Sequence, residues 1–356
     1  MSTEPLSREH ERELTEIREA AGDVVLKVND LSVRFPSDEG PVNAVQNLSY
    51  EARLGRTLAI VGESGSGKSV SSMTLLGLHN PKRSTITGSI TLDGTELVGA
   101  SEETMRRLRS STVAMVFQDP QSSLHPFYKV GKQIAEAYRA HHSVSKSIAD
   151  KRAVEMLDRV GIPNPARRAK QYPHEFSGGM RQRAMIALGL VNDPKLLVAD
   201  EPTTALDVTV QAQILDLIND LQKEFGSAVI LITHDLAVVA EVADDILVMY
   251  AGRAVERGLA KDVLSLPNHP YTLGLLQSIP STSEEVDELK AIRGTPPSLV
   301  HLPSGCSFHP RCDFRHLVPG NLCVSTLPDL RLLANGRQTR CHLPDPERTL
   351  SQENMS

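Results

Sequence analysis

Two kinds of hydrophobic pattern alternate along this chain. Short, almost fully apolar runs at residues 58–61, 196–199 and 228–233 predict strands, and residues 31–34 are also strand-like. Over residues 210–225, apolar side chains instead recur at helical spacing, at positions 210, 214, 217, 218, 221 and 225. Strands that alternate with amphipathic helices are typical of an α/β fold.

A glycine-rich segment, GESGSGKS, follows the run at residues 58–61 and precedes a helical pattern. This order is that of a phosphate-binding loop, in which glycines let backbone amides face the phosphates and the next helix adds its positive end. Lys68 would place a charge on the outer phosphates, and the Ser69 hydroxyl would bind Mg²⁺. The expected nucleotide contacts are Gly62, Ser64, Gly65, Ser66, Gly67, Lys68, Ser69 and Val70.

The run at residues 196–199 ends in two carboxylates, Asp200 and Glu201. Charge at the end of a buried strand is costly unless that end opens onto a ligand. Asp200 suits the second coordination shell of Mg²⁺, and Glu201 suits a general base that polarises water for attack on a terminal phosphate. Such a pair alone is more often a solvated turn, but the phosphate loop upstream favours the catalytic reading.

The segment FSGGMRQR opens another predicted helix. Ser177 can cap this helix, and Gly178 and Gly179 leave its first amides bare, which makes a second anion site. Its apolar face is formed by Met180, Ala184, Ala187, Leu188 and Val191.

These elements, together with Gln118, Asp207 and His234, occur in an order that resembles the ATP-binding subunits of ABC transporters. The resemblance implies a P-loop NTPase fold with an antiparallel β subdomain and a helical subdomain. It also implies ATP and Mg²⁺ as ligands.

The same resemblance implies individual roles. Phe35 looks like the aromatic residue that stacks on adenine, with a core phenylalanine as the alternative. Gln118 resembles the residue that senses Mg²⁺ and the attacking water, and His234 the histidine that contacts the terminal phosphate. Asp207 resembles the loop aspartate that couples two facing subunits.

The resemblance further implies that Ser177, Gly178, Gly179 and Met180 line ATP bound on an opposing subunit. Because the chain has one phosphate loop and one such signature segment, we expect a second ATP-binding subunit, in a heterodimer. Two transmembrane permease subunits and an extracytoplasmic substrate-binding protein would complete the transporter.

Composition agrees with this reading. The 356 residues carry 38 Lys plus Arg against 44 Asp plus Glu, a net charge of −6 that argues against nucleic acid as a partner. No apolar run approaches the roughly 20 residues of a spanning helix, and the first residues lack a secretory apolar segment. We therefore expect a peripheral protein at the cytoplasmic face of the bacterial inner membrane.

The predicted organisation is a flexible arm at residues 1–22, an ABC ATPase domain at 23–260 with a helical subdomain at about 127–185, and an extension at 261–356. Prolines accumulate in the extension, which predicts loops rather than more parallel sheet. The segments NHPYT and GTPP resemble the C-terminal extension of oligopeptide and dipeptide importer subunits, which implies peptide import. Import of nickel or another small solute is the alternative, and a DNA- or ribosome-directed ABC ATPase a remote one.

All four cysteines lie in the extension, at Cys306, Cys312, Cys323 and Cys341. Their wide intervals disfavour the tight knuckles of structural zinc, and a cytosolic location disfavours disulfides. Four thiolates can hold a [4Fe–4S] cluster, and the resemblance implies one; zinc, free thiols and disulfides remain alternatives. Cys323 departs most from the subfamily spacing. We expect such a cluster to fold a segment too loop-rich to make its own core.

Overall fold

The computed structural model describes residues 22–119, 123–204, 206–278 and 292–354. The predicted arm at residues 1–22 therefore lies almost wholly outside the described residues.

Strands of the described residues form two sheets. They are β1 (Val24–Phe35), β2 (Val42–Arg53), β3 (Thr57–Val61), β4 (Thr85–Leu92), β5 (Thr95–Glu96), β6 (Val113–Val116), β7 (Leu196–Asp200), β8 (Ala228–Thr233), β9 (Asp245–Tyr250), β10 (Arg253–Leu259), β11 (Arg331–Leu332) and β12 (Gln338–Thr339). The smaller sheet is antiparallel, in the order β2-β1-β4-β5, and the larger has the order β11-β12-β10-β9-β3-β8-β7-β6.

Helices cover the larger sheet and fill an insertion. They are α1 (Lys68–Leu75), α2 (Glu102–Leu108), α3 (Val130–Arg139), α4 (Lys146–Arg159), α5 (Pro165–Arg168), α6 (Gly178–Leu190), α7 (Val208–Phe225), α8 (Leu236–Val242), α9 (Ala260–Ser265), α10 (Pro270–Gln277), α11 (Leu322–Ser325) and α12 (Pro346–Asn354). Single 3₁₀ turns occur at Pro173–Glu175, His309–Arg311, Arg315–Leu317 and Pro319–Asn321.

The centre of the larger sheet is parallel and buried on both faces. Strands β9, β3, β8, β7 and β6 run parallel, and every residue of β3, β6, β7 and β8 is buried. One apolar core lies between this sheet and α4, α6 and α7, and another between it and the antiparallel sheet. Strands covered on both faces read as continuous apolar runs, so the predicted strands are confirmed.

Helix α7 also matches its pattern. Asp207 caps it by accepting a hydrogen bond from the Val210 amide at 2.9 Å, and Gly226 ends it in the left-handed conformation. The predicted face is the one that packs inward, with Ile214, Ile218 and Leu221 buried. Helices α3, α4 and α5 lie within residues 127–185, where the sequence predicted a helical subdomain.

The C-terminal region is built onto the larger sheet. Strand β12 pairs antiparallel with β10, placing Thr339 opposite Glu256, and β11 pairs with β12. The region has few long elements, but it also has its own buried apolar cluster, formed by Leu273, Val318, Cys323, Cys341, Leu343 and Leu350. The expectation that this segment is too loop-rich to make a core is therefore wrong, because its loops bury apolar side chains against α10 and α12.

A buried carboxylate joins β10 to the chain entering α10. Glu256 is fully buried and accepts hydrogen bonds from the backbone amides of Asn268 (2.6 Å) and His269 (3.1 Å). Burial raises the pKa of Glu256 to about 7, against the opposing effects of these hydrogen bonds and of the nearby Arg337 charge.

The raised pKa of Glu256 makes stability depend on pH. An unfolded glutamate would titrate near 4.5, so between pH 4.5 and about 7 the unfolded chain loses a proton that the folded chain keeps. The Glu256 contribution to the free energy of unfolding should therefore fall over this window, by on the order of 1–3 kcal/mol, and level off above it. Urea unfolding of wild type and Glu256→Gln across the window measures this contribution as their difference.

The exposed Glu136 offers a matched control, because Glu136→Gln should leave the pH profile unchanged. A constant difference between wild type and Glu256→Gln across the window would contradict the prediction.

Candidate functional site

The glycine-rich loop joins the end of β3 to the start of α1. Gly62, Gly65 and Gly67 all have positive φ, at 152°, 76° and 100°. A Cβ on Gly62 would collide with the backbone oxygen of Met249, and one on Gly67 with that of Ala44, whereas Gly65 has open space around it. Close packing against neighbouring backbone thus requires glycine at positions 62 and 67, and the positive φ angles of the turn favour glycine at all three positions.

Lys68 lies buried inside this loop. Its Nζ donates to the carbonyl oxygens of Gly62 (2.7 Å) and Glu63 (3.1 Å). Burial lowers the pKa of Lys68, while the charges of Glu201, Asp200 and Glu63 raise it. The buried Ser66 Oγ has no hydrogen-bond partner in the described chain, so the loop holds a polar atom that a bound oxyanion could satisfy.

Ser69 and Asp200 meet at the entrance to the loop. The Ser69 hydroxyl donates to Asp200 Oδ1 at 3.2 Å. Burial raises the pKa of Asp200, an effect that the Ser69 hydrogen bond opposes, the Glu201 charge reinforces and the Lys68 charge opposes. A hydroxyl beside a carboxylate is the pair of oxygen donors that a hard cation such as Mg²⁺ binds, directly or through water.

Three polar side chains contact the carboxylate of Glu201, just after the end of β7. Its carboxylate accepts hydrogen bonds from Gln118 Nε2 (2.9 Å) and Thr204 Oγ1 (2.9 Å), and its other oxygen lies 3.3 Å from His234 Nδ1. The backbone of Glu201 is left-handed, with φ of 46°, which is uncommon for a residue with a side chain. Sequence reasoning assigned no role to Thr204, whose only signal was its position three residues after Glu201.

The loop and this cluster face one open cavity of about 740 Å³. From the main fold it is lined by Gly62, Glu63, Ser64, Gln118, Glu201 and His234, and from the C-terminal region by Leu275, Ser278, Ile292 and Pro296. The structure thus brings together the predicted phosphate-contacting and catalytic residues, and it adds a wall from the extension.

Phe35 lies elsewhere. It is the last residue of β1, half-buried against the core of the antiparallel sheet, and its ring meets that of His79 edge-on at 5.3 Å. Val70, in the first turn of α1, packs against the same core. Neither side chain lines the cavity at Glu201.

The signature segment is also apart from the cavity. Ser177 caps α6 by accepting from the Met180 amide at 3.3 Å, as predicted. Gly179 lies close against Val210 of α7, where a Cβ would come within 2.9 Å of the valine side chain, and Gly178 faces Leu206. Among the described residues, none of Ser177, Gly178, Gly179 and Met180 lines the cavity that holds Glu201.

The four cysteines are free thiols gathered in the extension. The Cys306 amide donates to the Cys323 carbonyl at 2.9 Å, and the Leu343 amide lies 3.5 Å from Cys341 Sγ. Burial raises the pKa of Cys312 to about 12, and the charges of the other three cysteines act in the same direction. Within the described ranges, however, no group of three or more His, Cys, Asp or Glu side chains is arranged to hold a metal ion.

Three further residues at this site escaped sequence reasoning. The Glu63 carboxylate pairs with Arg311, and the Glu63 amide donates to Tyr271 Oη. Glu63 stands inside the quoted loop, but its partners are more than 200 positions away. A single sequence carries no signal for a contact at that distance.

Comparison with known proteins gives two family matches. The ABC transporter model matches residues 45–204, and the model of the oligopeptide/dipeptide transporter C-terminal region matches residues 255–317. The oligopeptide transport ATP-binding protein OppD of Salmonella typhimurium strain LT2 is 49% identical over 324 residues, 91% of this chain and 95% of that protein. The dipeptide transport ATP-binding protein DppD of Escherichia coli strain K12 is 46% identical over 320 residues, 90% of this chain and 97% of that one.

Solved structures share the fold. The dimeric post-hydrolysis structure of the ATP-binding cassette MJ0796, bound to ADP and Pi, has a TM-score of 0.59 and 26% identity, covering 66% of this chain and 98% of that one. CbiO1 from Clostridium perfringens has a TM-score of 0.59 and 30% identity, covering 68% and 91%. The predicted P-loop NTPase α/β fold is therefore confirmed.

No helix within the described ranges is both long and apolar enough to cross a membrane. The resemblance stated from the sequence is confirmed by both family models and by these relatives. This chain belongs to the ABC transporter family of ATP-binding proteins, in the group that carries the oligopeptide/dipeptide transporter C-terminal region.

Proposed function

We propose that this chain is the ATP-hydrolysing subunit that energises peptide import through an ABC transporter. The observation that carries the proposal is its 49% identity, over 91% of the chain, to an oligopeptide transport ATP-binding protein. The family matches include the phosphate loop, within residues 45–204, and the first part of the extension, up to residue 317.

The proposed chemistry centres on Glu201. Its carboxylate, oriented by Gln118 and Thr204, accepts a proton from the water that attacks the terminal phosphate. His234, on the other carboxylate oxygen, contacts that phosphate. Bound Mg²⁺ would neutralise the charge that develops on the phosphate oxygens.

The remaining residues bind and orient. Ser69 and Gln118 would bind Mg²⁺ directly, and Asp200 would lie in its second coordination shell. Lys68 and the amides of the loop bind the phosphates, and Ser66 supplies a buried hydroxyl that now lacks a partner. Phe35 stacks on the adenine ring.

Hydrolysis requires two facing subunits in this proposal. Ser177 caps α6 and the other three signature residues form its first turn, outside the cavity, which supports their use on the ATP of an opposing subunit. Asp207, at the start of α7, would couple the two sites. The assembly would be a heterodimer with a second ATP-binding subunit, on two permease subunits at the cytoplasmic face of the inner membrane, served by an extracytoplasmic binding protein. Nucleic acid plays no part in it.

The domain boundaries are part of the proposal. We place the ATPase domain at residues 23–260, with its helical subdomain at about 127–185, and the extension at 261–356.

The role of Glu201 can be tested by Glu201→Gln. The amide keeps the shape of the side chain but cannot accept a proton, so phosphate release by the assembled transporter should fall by about 10²–10⁴-fold. The Kd for ATP should stay within about twofold of wild type, since no binding contact is lost. Glu224, whose side chain is 49% exposed, provides the control Glu224→Gln, which should leave both quantities unchanged. Undiminished turnover in Glu201→Gln would remove Glu201 as the base.

We also propose that Cys306, Cys312, Cys323 and Cys341 hold a [4Fe–4S] cluster. Four free cysteines in one region, the backbone hydrogen bond between Cys306 and Cys323, and a backbone amide directed at Cys341 support the donor set. The thiols would have to draw together on binding, since their present arrangement is not that of a metal site. The four cysteines can supply the thiolate ligands of such a cluster. Zinc is the alternative metal.

The cluster proposal predicts about four iron atoms per chain, with visible absorption, in protein purified without oxygen. Cys312→Ser and Cys323→Ser should each reduce the iron content, because each removes a ligand. His316, an exposed residue in the same region, gives the control His316→Gln, which should keep the iron. Stoichiometric zinc without colour, or a chain that binds neither metal, would contradict it.

A further inference from the structure

Residues of the extension bond to the phosphate loop at Glu63. Arg311 Nη1 lies 2.6 Å from Glu63 Oε2, and Arg311 Nη2 lies 3.0 Å from Glu63 Oε1. Two parallel bonds between a guanidinium and a carboxylate fix direction as well as distance. The Arg311 side chain is only 5% exposed, so this pair is shielded from water on the arginine side.

Arg311 is itself held in place by the extension and by β9. Its Nε donates to the Arg293 carbonyl at 2.8 Å, and its Nη1 lies 3.3 Å from Tyr250 Oη. The guanidinium also stands over the rings of Tyr250 and Phe308, at 5.8 Å and 5.9 Å from their centroids. Glu63 therefore meets a fixed partner rather than a mobile surface arginine.

A second contact holds the backbone of the same loop residue. The Glu63 amide donates to Tyr271 Oη at 2.7 Å. Tyr271 is fully buried, and its ring packs against those of Tyr250 and Phe308, with centroids 4.7 Å and 5.4 Å away. Both the side chain and the amide of Glu63 are thus bonded to residues outside the loop.

On its other side, Glu63 belongs to the nucleotide site. Its carbonyl oxygen accepts from Lys68 Nζ at 3.1 Å, and it lines the same cavity as Glu201 and His234. A fixed Glu63 therefore fixes one end of the cradle in which the lysine and the loop amides must converge. A loop with three positive-φ glycines loses much backbone entropy on ordering, and fixing it beforehand removes part of that cost from binding.

We propose that Arg311 and Tyr271 are positioning residues of the ATP site, which hold the phosphate loop in its binding conformation through Glu63. The pair also neutralises a carboxylate that would otherwise stand unpaired beside the bound phosphates. This inference rests on the ATP site proposed above. It assigns to the extension a role in nucleotide affinity, distinct from any metal that its cysteines bind.

A double-mutant cycle on the full chain tests the ion pair, with the Kd for ATP as its readout. Arg311→Met and Glu63→Gln should each raise the Kd about tenfold, the change that a loss of about 1.4 kcal/mol produces. The increase in Kd of the double variant should be well below the product of the two single increases, because both substitutions break the same contact. Arg311→Lys, which keeps the charge but loses the fork, should recover part of the affinity.

Tyr271→Phe provides a variant that keeps the packed ring and removes only the acceptor of the Glu63 amide. We expect its Kd for ATP to rise a few-fold, on the order of one lost hydrogen bond. The matched control is Arg106→Gln, because Arg106 also pairs with an acid, Glu103, but its side chain is 70% exposed. Its Kd should not change.

The steady-state kinetics of ATP hydrolysis distinguish a positioning role of Arg311 and Tyr271 from a catalytic role and from a role in folding alone. In the assembled transporter, Arg311→Met and Tyr271→Phe should raise the KM for ATP and leave kcat at saturating ATP close to wild type. Values of Kd and KM within twofold of wild type, with only a lower Tm, would assign these contacts to folding and overturn the inference. If Arg311→Met does not fold, Tyr271→Phe decides the question alone. Failure of the wild-type chain to bind ATP would instead remove the proposed function.

Discussion

The site depends on the parallel pairing at the centre of the larger sheet. Parallel strands end at the same edge, so residues that follow neighbouring strands begin side by side. Val61 at the end of β3 lies opposite Thr233 at the end of β8, and Asp200 of β7 lies opposite Ile232. The loop, the acidic pair and the histidine therefore start from adjacent positions, although more than 170 residues separate Gly62 from His234 along the chain.

Burial of these strands also supports strain at the site. The left-handed backbone of Glu201 costs on the order of 1–3 kcal/mol in isolation, and it persists only where the surroundings determine it. The Glu201 amide donates to the Ile232 carbonyl at 2.9 Å, which continues the β7–β8 ladder one residue beyond the strand. The turn then directs the carboxylate towards Gln118, Thr204 and His234. A rigid, buried sheet thus sets the geometry of an exposed cluster.

The sequence predicted those strands and helices whose burial produces a regular pattern of apolar residues. Apolar runs marked β3, β7 and β8, because both faces of these strands are buried, and helical spacing marked α7. Strands β11 and β12 could not be predicted, since two-residue strands carry no periodicity and owe their existence to pairing with β10. The apolar core of the extension escaped notice for the same reason: its members are scattered over loops with no common spacing.

Within the site, too, local motifs could be recognised from the sequence, whereas contacts that depend on the fold could not. Residues whose chemistry is bound to a motif, such as Lys68, Ser69 and Glu201, could be proposed from the sequence alone. The Thr204 contact depends on the strained turn after β7, which no propensity indicates. The contact between Glu63 and Arg311 spans 248 positions and requires the fold itself.

That long-range contact raises the question of why an ion pair joins the extension to the loop. A buried ion pair adds little net stability over well-packed apolar side chains, since desolvation offsets much of its attraction. An apolar contact of equal stability, however, would leave residue 63 free to slide and rotate. The forked pair, with the Tyr271 hydroxyl on the amide, leaves one arrangement in which all donors and acceptors are satisfied. Arg311 directly precedes Cys312 in the chain, so this contact joins the cysteine-bearing region to the phosphate loop through Glu63.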